Sequence, residues 1–217
     1  MSGFVIAIDG PAASGKGAIA HALAAAYRLP VLDTGLLYRA VGLAVARAGE
    51  NPDDADAAAR HARALDLSRL DDPALRSLDA GAAASRVAVH PAVREVLRAA
   101  QRAFAAQPGG AIIDGRDIGT VIAPDAPAKL YVTATADARA ERRWRQLRAD
   151  DPGIGREAVV ADIARRDAVD SGRADSPMRP AADAVLLDTT EMTIEAATDA
   201  ARRIVEAARA HWEQSQG

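Results

Sequence analysis

The run Phe4-Val5-Ile6-Ala7-Ile8-Asp9, followed by Gly10-Pro11-Ala12-Ala13-Ser14-Gly15-Lys16-Gly17-Ala18, constrains the fold more than any other stretch of this chain. A short continuous apolar run closed by glycine reads as a buried strand, and the periodic segment Ile19–Tyr27 behind it reads as a helix. Gly10, Gly15 and Lys16 fall at the spacing G-x-x-x-x-G-K. In that pattern backbone N–H groups turn inward around an anion, the helix start adds positive potential, and the ammonium reaches the outer phosphates. The common form of the pattern carries Ser or Thr where Gly17 stands, to meet a magnesium ion. Phosphate binding is the expectation, and the missing hydroxyl asks for a subfamily.

Composition narrows the class. A chain of 217 residues that is 49% hydrophobic can form one domain with small inserts. Cysteine is absent and the four histidines, His21, His61, His90 and His211, have no ligand spacing, so a reducing compartment is expected and metal only through a ligand. The opening MSGFVIAIDGP lacks a basic leader, and no run approaches the roughly 18 apolar residues of a membrane span, which predicts a soluble cytoplasmic protein with no membrane partner. A formal charge of −3 argues against a general nucleic-acid binder. Of 27 basic residues only Lys16 and Lys129 are lysine, so a lysine at the phosphate-loop position stands out against the arginine-rich background.

Apolar runs at Phe4–Ile8, Ala111–Ile113, Lys129–Thr133 and Ala184–Leu187, with Pro30–Asp33 as a fifth, alternate with helical patterns. These patterns fall at Ile19–Tyr27, Leu36–Ala48, Val93–Phe104, Asp137–Leu147, Glu157–Ala168 and Ile194–Trp212. This order predicts an α/β fold with a central parallel sheet and ligands at the carboxyl ends of its strands. Residues 49–92 have weak periodicity, and residues 149–156 form a Gly/Pro turn between arginine-rich helices; both read as inserts.

Four further segments carry candidate chemistry. LDTGLLYRA, residues 32–40, places Thr34 at a helix start with Tyr38 and Arg39 one turn on; a helix cap and a solvated charge is the plainer alternative. IIDGRDIGT, residues 112–120, ends a strand with Asp114, Arg116 and Asp117, which fits either a ligand edge or an Arg-Asp turn. Arg139, Arg142 and Arg143 share a helical face, open to an anion or to solvent. Arg166, Asp170 and Arg173 fall on one stripe if the helix reaches that far, where they fit a phosphate clamp or an ion-pair ladder.

Taken together these residues resemble the bacterial cytidylate kinase family of the nucleoside monophosphate kinase group. IDGPAASGKG, LDTGLLYR, HPAVREVLRAAQRAF, DGRDIGTV, PDAPAKLYV, IARRD and PAADAVLLDTT match it in order. Gly17 is then a mark of the group, which uses GKG. The resemblance implies a single P-loop domain of three layers, with its core at about 1–48 and 93–217, a monophosphate-binding insert at about 49–92 and a short lid at about 148–157. It implies transfer of the γ-phosphoryl of Mg-ATP to CMP or dCMP, and a monomer. Gly10, Pro11, Ala12, Ala13, Ser14, Gly15, Lys16, Gly17 and Ala18 match the ATP-binding positions. Thr34, Arg94 and Asp117 match those that read cytosine, while Arg39, Arg116 and Arg173 match the monophosphate positions, with Tyr38 beside them. Arg166 and Asp170 match positions near the ribose. Lys16, Arg116, Arg139, Arg142, Arg143 and Arg173 form the implied catalytic set, and Asp114 is the candidate to meet magnesium through water.

Two departures accompany the match. Ala18 stands where the family commonly has Thr or Ser, which predicts weaker nucleotide binding or a rate penalty. Only Asp71-Asp72-Pro73 separates LDLSRL from ALRSLDAGAAASRVAV, so the insert is trimmed. Two other classes remain open to the sequence: a P-loop kinase acting on a sugar or shikimate-like acceptor, and a nucleotide-binding regulator without transfer.

Overall fold

The computed structural model describes residues 3–67, 70–149 and 151–215. Five strands form one parallel sheet: β1 (Val5–Asp9), β2 (Val31–Asp33), β3 (Ala111–Asp114), β4 (Ala128–Thr133) and β5 (Val185–Asp188), in the order β2-β3-β1-β4-β5. The registers Ile8↔Asp114 and Asp9↔Tyr131 bring the ends of β1, β3 and β4 to one edge. Ile6 and Ile8 pack with Ile19, Leu23, Leu130 and Val205, while Val5 and Ala7 pack with Ile113, Ile118 and Ile122. Both faces of β1 are therefore covered, which explains why its sequence is continuously apolar rather than alternating.

The helices are α1 (Lys16–Tyr27), α2 (Thr34–Arg47), α3 (Ala55–Arg63), α4 (Leu78–Val87), α5 (Pro91–Ala105), α6 (Ala136–Arg148), α7 (Arg156–Gly172) and α8 (Ile194–Ser215). Among the described residues no helix is long and apolar enough to cross a membrane. Two compact units result: Met1–Leu32 with Arg102–Gly217, and Asp33–Gln101.

The second unit is helical where residues 49–92 show only weak periodicity in the sequence. It contains α3 and α4, capped by Asp54, which accepts from the amides of Asp56 and Ala57, and by Ser77, which accepts from Ala80. Most buried positions of these helices are small: Ala57, Ala58, Ala59 and Ala62 in α3, and Ala80, Gly81, Ala84 and Ser85 beside Val87 in α4. Both helices are short, 9 and 10 residues, and their buried faces carry mostly small side chains, so neither shows a long run of large apolar residues in the sequence. Close packing takes its place: a Cβ on Gly42 of α2 would lie 2.8 Å from the Cβ of Ala83.

Candidate active site

The phosphate loop leaves β1 through a turn that only glycine can make. Gly10 has φ +141°, and a Cβ there would lie 1.9 Å from the Val132 carbonyl oxygen. Ala13 (φ 60°) and Gly15 (φ 95°) also occupy left-handed backbone, which costs alanine of order 1 kcal/mol and folds the loop back on itself. Lys16 is buried, and its Nζ donates to the Pro11 carbonyl at 2.8 Å and lies 3.8 Å from Asp114 Oδ1. The ammonium thus arches over the loop it follows. Gly17 leaves room beside Asp114, whose Oδ2 would be 3.7 Å from a Cβ at that position. The Ser14 hydroxyl is buried without a hydrogen-bond partner among the described residues.

The turn after β3 is held by a residue that sequence inspection did not select. Asp9 Oδ1 and Oδ2 accept the amides of Ile118 and Gly119 at 2.8 and 2.7 Å. Burial pushes the Asp9 carboxyl up to about 6, against the pull of those two amides and of Lys16, and Asp117 adds to the rise. Asp117 is itself buried at this turn, which continues into a single π-helical turn at Ile118–Ile122. Tyr131, opposite Asp9 in the sheet, is raised by burial and by the Asp9 charge.

Arg116, Asp170 and Arg173 come together as the sequence pattern allows. Asp170 Oδ2 accepts from Arg116 Nε at 2.9 Å, and Oδ1 accepts from an Arg173 Nη at 3.0 Å. Burial alone would raise the Asp170 carboxyl, but Arg116 and Arg173, with help from Arg166, hold it below the usual carboxylate range. Helix α7 reaches past the expected Ala168 to Gly172, so Arg166 and Asp170 are helical while Arg173 is the C-cap residue. Two guanidinium groups thus share one buried carboxylate, while Arg166 lies 4.0 Å from Asp162 on the same helix.

The three arginines of α6 have different partners. Arg139 is buried and donates to the carbonyls of Ala134 and Ala12, at 3.0 and 3.2 Å, and to both oxygens of Asp167, at 3.0 and 2.6 Å. Arg142 donates to the Thr189 hydroxyl at 2.9 Å and to the carbonyls of Thr189 and Thr190. Arg143, half-buried, donates from Nη1 to Gln146 at 3.2 Å. The Thr189 hydroxyl also sits 2.9 Å from the Ser14 carbonyl, tying the loop after β5 to the phosphate loop. Beside this link lies a cavity of about 160 Å³, lined by Ser14, Ile19, Arg142, Thr189, Met192 and Ile194 among others. The expected lid carries its own fastening, in which Trp144 Nε1 donates to the Ile154 carbonyl at 3.0 Å and Arg148 covers the indole at 5.0 Å.

Thr34, Tyr38, Arg39 and Arg94 belong to the second unit. The helix cap expected of Thr34 is supplied by Asp33, whose side chain accepts from the Gly35 amide at 2.9 Å, and Thr34 is buried in the first turn of α2. Arg94 is almost fully buried with its guanidinium 5.9 Å from the Tyr38 ring centroid. Arg39 Nη1 donates to the carbonyls of Leu75 and Ser77 at 2.7 and 3.1 Å. A Cβ on Gly81 would lie 3.2 Å from its guanidinium, so the absent side chain shapes the arginine's seat.

Sequence inspection missed Asp9, Asp167 and Thr189 as members of this site. Each acts through a partner far away in the chain, and no local spacing signals that.

The cytidylate kinase family profile matches residues 6–208. The chain belongs to the cytidylate kinase family. A cytidylate kinase of Caulobacter sp. (strain K31) is 59% identical over 214 residues, covering 99% of each chain. That of Caulobacter vibrioides (strain NA1000 / CB15N) is 63% identical over 208 residues, 96% of this chain and 98% of its own. A crystal structure of an uncharacterized protein from Eubacterium ventriosum shares the fold, with TM-score 0.54 at 14% identity over 94% of this chain and 98% of that one. As a cytidylate kinase family member the chain is an ATP-dependent nucleoside monophosphate kinase.

Proposed function

We propose that this chain moves the γ-phosphoryl of Mg-ATP to CMP or dCMP with the residues described above, and that it does so as a cytoplasmic monomer without nucleic-acid or membrane partners. The observation that carries the site assignment is the Arg116–Asp170–Arg173 cluster, two buried or half-buried guanidiniums held on one carboxylate in the unit that contains the phosphate loop. Such a cluster suits a phosphate dianion, because arginine presents paired donors in a fixed fork. Asp170 keeps the two arginines in place before the ligand arrives, which lowers the ordering cost of binding.

In this reading Gly10–Ala18 cradle the ATP phosphates and Lys16 meets the outer ones. The cavity beside Ser14 and Thr189 takes the nucleotide's flat base against apolar walls. Thr34, Arg94 and Asp117 read cytosine: a carboxylate accepts from the N4 amino group and a guanidinium donates to the ring acceptors. Tyr38 and Arg39 support the monophosphate side, and Arg166 with Asp170 the ribose. Residues 49–92 act as the insert over CMP and 148–157 as the lid, with Arg139, Arg142 and Arg143 at its base. No nucleophilic side chain is needed, since positioning and electrostatics supply the rate.

The residues fit a magnesium ion carried mainly by phosphate oxygens and water. Asp114 is one hard oxygen donor next to Lys16, and among the described residues no three His, Cys, Asp or Glu side chains gather as a cage. Bound with ATP, the ion would neutralise phosphate oxygens as charge shifts between them. A coupled ADP-release assay across CMP, dCMP, UMP, AMP and sugars tests the reading. Preference for CMP and dCMP supports it. Equal rates on other acceptors, or ATP binding without turnover, would replace it with one of the two competing classes.

A further inference from the structure

Asp167 stands one residue after Arg166 and three before Asp170 on α7. Its two oxygens are taken by Arg139, at 3.0 Å to Nη1 and 2.6 Å to Nη2. Arg139 is 5% exposed, and the same Nη1 also donates to the Ala12 carbonyl at 3.2 Å, while Nε donates to Ala134 at 3.0 Å. A bidentate carboxylate fixes the plane of a guanidinium, because both paired N–H groups must point at it. Here that plane decides where the remaining donor of Nη1 points, and it points at the peptide before Ala13.

That peptide is the one place in the phosphate loop where a side-chain-bearing residue holds left-handed backbone, with Ala13 at φ 60°. A conformation of this kind persists only where its surroundings hold it. The Arg139 donor on the Ala12 carbonyl is such a hold, and without Asp167 only the Ala134 and Ala12 carbonyls remain to fix the plane of that guanidinium.

We propose that Asp167 is a positioning residue for phosphoryl transfer, acting through Arg139 to hold the Ala12–Ala13 peptide of the phosphate loop in its nucleotide-binding shape. The inference rests on the assignment of Gly10–Ala18 to ATP. It couples α7, which carries the monophosphate cluster, to the ATP phosphates by one side-chain relay: Asp167 to Arg139 to Ala12. Arg139 is thereby a strut of the loop rather than a charge placed on the moving phosphoryl group.

The test is steady-state kinetics of the wild type, Asp167→Asn, Asp167→Glu, Arg139→Gln and the Asp167→Asn/Arg139→Gln double variant, with ATP and CMP varied separately. Expected for Asp167→Asn is a rise of about tenfold in KM for ATP or a similar fall in kcat, with KM for CMP within about twofold. Asp167→Glu, which keeps the charge, recovers part of the loss. The double variant is no worse than Arg139→Gln alone, because the two residues work as a unit. Wild-type values of KM for ATP and kcat in Asp167→Asn overturn the proposal. So do additive losses in the double variant, or a loss of folded protein with unchanged constants in what remains. A wild type that does not phosphorylate CMP refutes the functional reading instead, so the two failures are distinguishable.

Discussion

The phosphate-loop unit and the Asp33–Gln101 unit solve the same problem with opposite materials. In the first, Ile6, Ile8, Ile112, Leu130 and Val132 build a sheet core from large side chains, and the loop's shape is set by where the strands stop. In the second, helices approach over Ala58, Ala59, Ala80, Ala84 and Gly42, and the spacing is set by the absence of side chains. Large residues tolerate some repacking, whereas a contact made of Cβ atoms at van der Waals distance tolerates no addition. The chemistry follows the same division: ions crowd the strand ends of one unit, while the other holds Arg39 and Arg94 by carbonyls, a ring and a missing Cβ.

The division can be broken first at its strongest point. Arg116→Ala is expected to lower kcat/KM for CMP by about 10² to 10³, on the scale of losing one group that stabilises transferring charge. The variant also loses stability, because a buried Asp170 carboxylate gives up one partner, and kinetics of the folded enzyme within about twofold of wild type would remove Arg116 from the site. Gly42→Val addresses the other unit: overpacking against Ala83 should cost about 1–3 kcal/mol of stability in urea unfolding. Affinity of that variant for ATP should stay near wild type, and an equal loss of ATP binding would show that the two materials are not separable.

Asp9 sharpens the comparison because it places an acid inside the large-side-chain unit. Its folded pKa, about 6, lies above the unfolded value of 3.8. The stabilisation this group contributes is therefore fully present below about pH 3.8 and is lost as pH rises to about 6. Between pH 5 and pH 7 Asp9 alone should cost the wild type about 1 kcal/mol that Asp9→Asn does not lose. Parallel stability–pH curves for the two proteins would contradict it. The smallest expected effect is that of Ala18→Thr, which should lower KM for ATP or raise kcat by about two- to fivefold through one added hydroxyl contact. Unchanged or poorer constants would show that the loop does not miss it.

The same contrast explains what could be read from the sequence. The five strands, the phosphate loop and six of the helices are legible because buried apolar runs and glycine spacing are local signals. Helices α3 and α4 are not, since both are short and their buried faces are built mostly of small residues, with no long apolar run to mark them. At the site, Lys16, Arg116, Asp117, Asp170 and Arg173 stand out by residue type and by position at strand or helix ends. Asp9 and Asp167 do not, because Asp9 meets Ile118 and Gly119 across more than a hundred residues and Asp167 meets Arg139 from another helix. Thr34 falls between the two: its place at the start of α2 is legible, but the cap is Asp33.

The hydrogen bond from Trp144 to the Ile154 carbonyl gives the molecule an optical gauge. Only two tryptophans are present, and Trp212 is tilted against Phe4, ring centroids 5.4 Å apart, beside the core of the sheet. Trp144 alone reports on the turn before α7, with a cation over its ring and a peptide oxygen on its indole nitrogen. Any motion that parts Ile154 from it changes both, so the emission maximum and quenching of one fluorophore follow that turn without a label.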